Sequence, residues 1–280
     1  MKLYKTNNET LVEENGFFYL VPNLAWDELI NQENLPKYLR SLLQSSEPLV
    51  DERLLTTKCF TVPIGTQEVW AAGVTYLRSK VARMTESEQS GGATFYDKVY
   101  DAERPELFFK ANAHRVVPDG AAVRIRKDSS WDVPEPELTL VINASGKIVG
   151  YTIGNDMSSR SIEGENPLYL PQAKMYDGSA AMGPCVLVKE DQPMDPASCI
   201  AIEIKRMNIV VYHASTTIDQ MKRSHEELVG YLFKEYSFPN GAYLMTGTCL
   251  VPDEGFTLQV GDEINIGIEG IGELRNYVGA

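Results

Sequence analysis

The stretch Val133-Pro134-Glu135-Pro136-Glu137-Leu138-Thr139-Leu140-Val141-Ile142, then Asn143-Ala144-Ser145-Gly146-Lys147, then Ile148-Val149-Gly150-Tyr151-Thr152-Ile153-Gly154-Asn155-Asp156 decides the reading of this chain. Two β-rich runs flank a turn signal, which is the pattern of an antiparallel hairpin. With the turn centred between Ser145 and Gly146, Leu138 faces Ile153, Leu140 faces Tyr151 and Ile142 faces Val149, an apolar face throughout. Side chains alternate along a strand, so the opposite face carries Glu135, Glu137 and Thr139 across from Asp156, Gly154 and Thr152. Three carboxylates then meet at one end of the hairpin, with a glycine leaving room beside them. Like charges directly across a ladder destabilise it by up to about 1 kcal/mol per pair, so this arrangement calls for a cation. Three hard oxygen ligands suit Mg²⁺, Mn²⁺ or Ca²⁺ better than zinc. The same carboxylates on a solvated hairpin edge would need no ion. A one-residue slip in the turn would keep Glu135 and Glu137 together but send Asp156 to the other face.

Outward from the hairpin, 280 residues suffice for one large domain with a small one attached. Hydrophobic residues make up 43% and charged residues 23%, and no continuous apolar run approaches the roughly 18 to 20 residues of a membrane span. The first residues show no secretory pattern, so the expected address is the cytoplasm. Cys59, Cys185, Cys199 and Cys249 form no CxxC pair and read as buried free thiols. The net charge of −13 argues against nucleic-acid partners, which require clustered Lys and Arg. A small anionic substrate remains compatible if a metal ion inverts the local sign.

The predicted organisation is α+β, mostly β. Residues 1–64 read as a small N-terminal α+β subdomain, with a strand-like Gly16–Val21 run and a helical pattern from Leu35 to Leu43. Residues 65–280 read as a larger, strand-rich catalytic domain. Helical spacing recurs from Asp219 to Phe233. Residues 77–104, polar and with Gly91-Gly92 inside, fit either an active-site lid or a solvated surface helix.

At the hairpin the sequence resembles the fumarylacetoacetate hydrolase family. The resemblance rests on Glu135-Pro136-Glu137, Gly150-Tyr-Thr-Ile-Gly-Asn-Asp156-Met-Ser-Ser-Arg160, Lys174, Thr246-Gly247-Thr248, Gly261-Asp262 and Gly272-Glu-Leu274-Arg-Asn276, and runs from about Val69 to Tyr277. It implies a mixed β-roll catalytic domain, a carboxylate-bound Mg²⁺ or similar ion with no organic cofactor, a small 2-oxo-acid substrate, and a homodimer or dimer of dimers. It leaves the reaction open among hydrolases, decarboxylases, isomerases, hydratases and dehydratases. Hydrolases of the family carry a histidine and glutamate in an N-Y-x-x-H-x-x-E segment that activates water. Here the corresponding place reads Gly73-Val-Thr-Tyr76-Leu-Arg78-Ser-Lys80-Val-Ala-Arg83, with no histidine. Of the histidines elsewhere, His225 is expected on the surface of a charged helix, His114 in a structural role or near the site, and His213 outside the motif.

Two further stretches, Tyr96–Lys110 and Glu163–Lys174, resemble the 2-keto-3-deoxy-D-arabinonate dehydratase branch. Carried over position by position, Glu135, Glu137 and Asp156 would hold the metal, and Lys174 and Glu106 would transfer protons. Arg78, Arg160, Gln172 and Thr248 would bind substrate, and Arg104 is a further cation near these motifs. Asp177, after Lys174, fits the general family better than that branch. The reaction implied is dehydration of a 2-keto-3-deoxypentonate to 2-oxoglutarate semialdehyde through an enolate. The alternative on the same fold is carbon–carbon hydrolysis or decarboxylation of acylpyruvate or oxaloacetate.

Overall fold

Strand pairing in the computed structural model follows the hairpin register over most of its length. The structure describes residues 1–7, 9–22, 24–49, 60–79, 84, 93–190, 192–253 and 255–279. Its strands are β1 (Lys2–Lys5), β2 (Glu9–Glu14), β3 (Phe17–Pro22), β4 (Glu68–Gly73), β5 (Glu106–Asn112), β6 (Val116–Val117), β7 (Ala122–Arg124), β8 (Asp132–Val133), β9 (Pro136–Ile142), β10 (Ile148–Asp156), β11 (Ser158–Ser159), β12 (Ala180–Leu187), β13 (Cys199–Arg206), β14 (Ile209–Thr217), β15 (Ala242–Met245), β16 (Glu263–Ile268) and β17 (Gly272–Gly279). Leu138 pairs with Ile153, Leu140 with Tyr151, Thr139 with Thr152 and Glu137 with Gly154. The Asp156 amide donates to the Glu135 carbonyl at 2.9 Å, which carries the register through to the third carboxylate.

The expected pairing of Ile142 with Val149 is not what forms. Ile142 pairs with Ile148, and a bulge follows before Gly150 rejoins Val141. The cause lies in the turn. The Asn143 amide bonds the Lys147 carbonyl, and the Asn143 side-chain oxygen accepts from the Ser145 and Lys147 amides, so the loop closes one residue earlier than expected. The extra residue turns Val149 to the other face, where it joins a different core from Tyr151.

β9 and β10 lie inside a mixed sheet, in the order β3-β2-β1-β12-β10-β9-β15-β4-β5, with β6 parallel to β12 and β15 parallel to β4. All seven residues of β9 are buried because both faces of this sheet are covered. On one face Leu138, Leu140, Ile142 and Ile153 pack against Ile202, Ile264, Ile266 and Leu274 of the second sheet, β14-β13-β16-β17-β7. On the other, Val141, Tyr243 and Met245 meet Trp26, Leu29, Leu35 and Leu39 from the Trp26–Ile30 and Leu35–Leu43 helices. The second of these helices has the bounds expected from its spacing. Asn34 caps it by accepting from the Lys37 amide, and Pro36 sits in its first turn. The N-terminal strands enter the large sheet where Leu3 pairs with Val186 of β12.

The helix expected over Asp219–Phe233 is shorter. It runs over His225–Leu232 because Ser224 caps it, its side chain accepting from the Glu227 amide. The residues before it do another job. Met221 bridges to Tyr76, and the Lys222 amide donates to the Thr75 carbonyl. The Lys222 ammonium holds the Tyr100 carbonyl and Asp101, while the Arg223 guanidinium holds the carbonyls of Ala102 and Glu103. One tripeptide thus fastens both ends of the segment expected as a lid or a surface helix. Residues 80–83 and 85–92 of that segment lie outside the described residues.

His225, expected on the surface, is only 9% exposed and stacks obliquely 6.3 Å from the Tyr151 ring. Cys185 and Cys249 are buried as expected, Cys199 is half-buried, and Cys59 lies outside the described residues.

Two outcomes are expected from this packing. A Cβ at Gly154 would come within 2.4 Å of the Thr139 hydroxyl and 3.1 Å of the Met245 terminal methyl. Gly154→Ala is therefore expected to destabilise the fold by about 1 to 3 kcal/mol, read as a lower denaturant midpoint at unchanged slope. Burial holds the His225 pKa below its ordinary value against the opposing pull of Glu226. Protonation then favours the unfolded chain, so this stability term is intact above about pH 6.5 and is lost as pH falls toward the depressed value. The stability difference between wild type and His225→Gln should shrink from pH 7.5 to pH 5; a constant difference would remove the histidine from the account.

Candidate metal and proton-transfer site

The site forms where β9 begins, beside the end of β10. Alternation puts Glu137 on the same face as Thr139 and Val141, and the antiparallel register brings Asp156 to the level of Glu135. Glu135, Glu137 and Asp156 each offer a carboxylate oxygen, and these oxygens lie within 4.8 Å of one another. All three residues are buried, with exposures of 4%, 1% and 1%. The same face continues through Val141 into the core against the N-terminal helices, so the trio lies at the bottom of a covered sheet.

Cations from elsewhere in the chain hold the outer oxygens. The Leu170–Lys174 helix delivers Lys174, whose ammonium lies 2.9 Å from Glu135 Oε2 and 3.2 Å from Asp156 Oδ2. Arg160 reaches Glu135 Oε1 at 2.8 Å and approaches Glu163 at 3.8 Å. Glu163 is itself buried and accepts from the Ser158 hydroxyl at 3.0 Å. Lys110, from β5, lies 2.5 Å from Asp156 Oδ1. Glu137 is held differently: its Oε2 accepts from the Gly247 amide at 2.6 Å, and among the described residues it has no salt-bridge partner. Burial, with Asp156 and Glu135 beside it, pushes its carboxyl well above the usual carboxylate range, against the pull of Lys174 and the Gly247 amide. This is the electrostatic state expected of a site built for a cation. Hard divalent ions take oxygen ligands at roughly 2.0 to 2.6 Å, so two ligands of one ion stand up to about 5 Å apart, and the trio fits that span.

Around the trio close Ala72, Gly73, Val74, Ser79, Phe108, Gly247 and Thr248, leaving a space of about 10 Å³, the scale of one ion or water. A far larger open groove, about 660 Å³, runs along the turn end of the hairpin, but its charged groups are Glu33, Lys147, Lys189 and Glu226, and none converges on a common point at the trio.

The expected site residues fall into two groups. Arg160, Lys174 and Thr248 line the cavity with the three carboxylates, and Thr248 also accepts from the Leu250 amide. Glu106 pairs across β4 with Gly73, and its carboxylate lies where a Cβ on that glycine would stand, 2.1 Å from Oε2. It packs on Gly73, which lines the cavity, and is not itself a lining residue. Arg78 is exposed and lies 3.9 Å from Asp253. The Gln172 side chain is exposed, and its carbonyl accepts from Arg126. Arg104 stacks on Tyr231, and Asp177 pairs with Arg115 at the surface. His114 lines a groove with Lys5 and Thr61, away from the trio, and His213 is exposed on β14.

Lys110 was not singled out in the sequence, although the signal was present. Lys110 follows the apolar Leu107-Phe108-Phe109 run of β5, and a lysine inside a buried strand has to find an acidic partner. It stands at a bulge, since Trp70 pairs with Phe109 and Val69 with Ala111. Its ammonium makes three contacts, to Asp156 Oδ1, the Met157 carbonyl at 3.0 Å and the Lys174 carbonyl at 2.5 Å. Burial lowers its pKa and Asp156 opposes the shift. Two carbonyls that accept hydrogen bonds and a carboxylate in ion-pair contact favour the charged form.

Comparison with known proteins agrees with this architecture. A probable 2-keto-3-deoxyxylonate dehydratase of Haloferax volcanii is 51% identical over 218 residues, covering 78% of this chain and 74% of that protein. A 2-dehydro-3-deoxy-D-arabinonate dehydratase of Saccharolobus solfataricus is 44% identical over 219 residues, covering 76% and 72%. The solved structure of 2-keto-3-deoxy-D-arabinonate dehydratase complexed with magnesium and 2,5-dioxopentanoate matches with a TM-score of 0.86 at 33% identity, covering 100% of this chain and 99% of that one. The model of the fumarylacetoacetate (FAA) hydrolase C-terminal domain matches residues 69–279, and the chain belongs to that family.

Proposed function

We propose that the protein is a divalent-metal-dependent hydro-lyase that dehydrates a 2-keto-3-deoxy sugar acid, converting a 2-keto-3-deoxypentonate to 2-oxoglutarate semialdehyde. The observation that carries this reading is the buried trio of Glu135, Glu137 and Asp156 with the Lys174 ammonium set between two of its members. The dehydratase relatives and the neighbour holding magnesium and 2,5-dioxopentanoate support it. The catalytic unit is residues 65–280, with 1–64 as a small N-terminal subdomain. The family model's match over 69–279 supports that division.

In this reading Glu135, Glu137 and Asp156 hold Mg²⁺, or Mn²⁺ or Ca²⁺ in its place. When bound, such an ion supplies Lewis acidity toward the ketone of a 2-oxo acid, which acidifies the protons at C3. The chain's own groups do the rest. Loss of water removes a proton from C3 and returns one to the departing C4 hydroxyl, so two proton-transfer groups are needed. Lys174 Nζ and the Glu106 carboxylate are the proposed pair. Arg160 and Thr248, on the cavity wall, are proposed to orient the substrate carboxylate and hydroxyls. Arg78 and Gln172 are proposed with them on the sequence motifs alone. The absence of the hydrolase histidine from Gly73–Ser79 favours elimination over attack by water. The substrate is a small 2-oxo acid. Among the described residues no helix is long and apolar enough to cross a membrane. A cytoplasmic homodimer or dimer of dimers completes the proposal.

Three incubations with Mg²⁺, offering 2-keto-3-deoxypentonate, acylpyruvate and oxaloacetate separately, test the reaction class; only the first should be consumed. Glu137→Ala is expected to abolish both Mg²⁺ binding, read by calorimetry, and turnover. Its metal-free stability should hold or rise, since a buried carboxyl disfavoured by its acidic neighbours is removed. Full turnover in excess chelator would sink the metal assignment. Gly73→Ala addresses Glu106: the added methyl displaces a flexible carboxylate rather than backbone, so the fold and Mg²⁺ binding should persist while kcat falls by about 100-fold. An unchanged kcat would take Glu106 out of the chemistry.

A further inference from the structure

We infer that Lys110 is a positioning residue that fixes Asp156 and Lys174 relative to one another, through geometry rather than through its charge. This rests on the reading of the carboxylate trio as a cation site. Lys110 is fully buried, and its three contacts reach two parts of the site, the Asp156-Met157 step and the end of the helix that carries Lys174. One is Asp156 Oδ1, at 2.5 Å. Another is the Met157 carbonyl at 3.0 Å, on the residue that follows Asp156 in the chain. The third is the carbonyl of Lys174 itself, at 2.5 Å, at the end of the Leu170–Lys174 helix, where carbonyls lack helical partners. The Ser179 hydroxyl donates to that same carbonyl at 2.9 Å.

The consequence is a closed frame. Lys110 holds one oxygen of Asp156 and Lys174 holds the other, so the carboxylate cannot rotate without breaking an ion pair. The main chain of Lys174 is tied back to Lys110, which fixes the base of the side chain whose ammonium touches Asp156 Oδ2 and Glu135 Oε2. Phe108, two residues before Lys110 on β5, places its ring 5.9 Å from the Lys174 ammonium. One strand therefore seats Lys174 at both ends, and that strand also carries Glu106. Outer groups of this kind orient metal ligands, and their loss weakens metal binding or activity by about 10- to 100-fold.

Charge and geometry predict opposite signs, which makes the inference testable. A cation beside Asp156 repels a divalent ion, so by charge alone Lys110→Met would tighten Mg²⁺ binding and Lys110→Arg would leave it unchanged. A positioning role predicts that both variants bind Mg²⁺ about 10- to 100-fold more weakly, because neither methionine nor a planar guanidinium reproduces three acceptors around one nitrogen. Calorimetric Mg²⁺ titration of the full chain, with melting curves and kcat and KM for 2-keto-3-deoxypentonate, reads the outcome. The expected result is weakened Mg²⁺ binding in both variants with a fall in kcat. Tighter binding in Lys110→Met, or wild-type affinity in either folded variant with only a lowered Tm, overturns it. Where Lys110→Met does not fold, Lys110→Arg decides by the same criterion. If wild-type protein itself fails to bind Mg²⁺, the metal reading falls and takes this inference with it. If wild type binds and the variants match it, only the role of Lys110 falls.

Discussion

Mutual repulsion of Glu135, Glu137 and Asp156, buried with oxygens inside 4.8 Å of one another, is the constraint on which the rest of the structure depends. In a covered sheet bulk water screens it little, and uncompensated buried charge is among the costliest features a fold can carry. Compensation comes from three places far apart in the chain. Lys110 arrives on β5, Lys174 at the end of a short helix and Arg160 at the start of another, each satisfying an outer oxygen. The inward side of the trio, and Glu137 above all, is left to whatever enters the cavity. The fold thus compensates Glu135 and Asp156 while leaving Glu137 without a cation of its own, an arrangement that suits a site for a divalent ion.

The architecture explains how such a cluster can be held. β9 and β10 form the middle of a sheet sandwiched between a second sheet and the N-terminal helices, so the carboxylates sit on rigid backbone. The residues proposed to move protons or bind substrate come from around them: Glu106 at the start of β5 beside Gly73, Lys174 beyond β10, and Thr248 after β15. The tripeptide Met221–Arg223 grips Thr75 and Tyr76 on one side and Tyr100 to Glu103 on the other. The segment that follows β4 is therefore fastened at both ends.

Much of this was readable from the residues in order. The pairing of Leu138 with Ile153 and of Glu137 with Gly154 follows from a turn position and a two-residue period, and the Leu35–Leu43 helix from its spacing and its Asn34 cap. The failures have local physical causes. Val149 lands on the wrong face because Asn143 draws in the Lys147 amide and closes the turn early. The apolar stripe from Asp219 to Phe233 mixes a true helix with residues that serve the Tyr76 bridge, and periodicity cannot separate the two. His225 was misjudged because its charged neighbours suggested a wet helix, whereas its ring turns toward Tyr151.

By itself the sequence determined the hairpin, the common face of Glu135 and Glu137, the meeting of that face with Asp156, and the family. All of these rest on periodicity and on motifs that lie within short stretches of chain. Only the tertiary structure decided what surrounds the trio. Lys110 and Asp156 are joined because β5, β4, β15, β9 and β10 lie side by side in one sheet, and no local pattern encodes that order. The same holds for the Gly247 amide on Glu137 and for the Lys174 ammonium between two carboxylates. An ion pair acts over a few ångströms while its partners are separated by tens of residues, so its existence is settled only when long-range strand pairing brings them together.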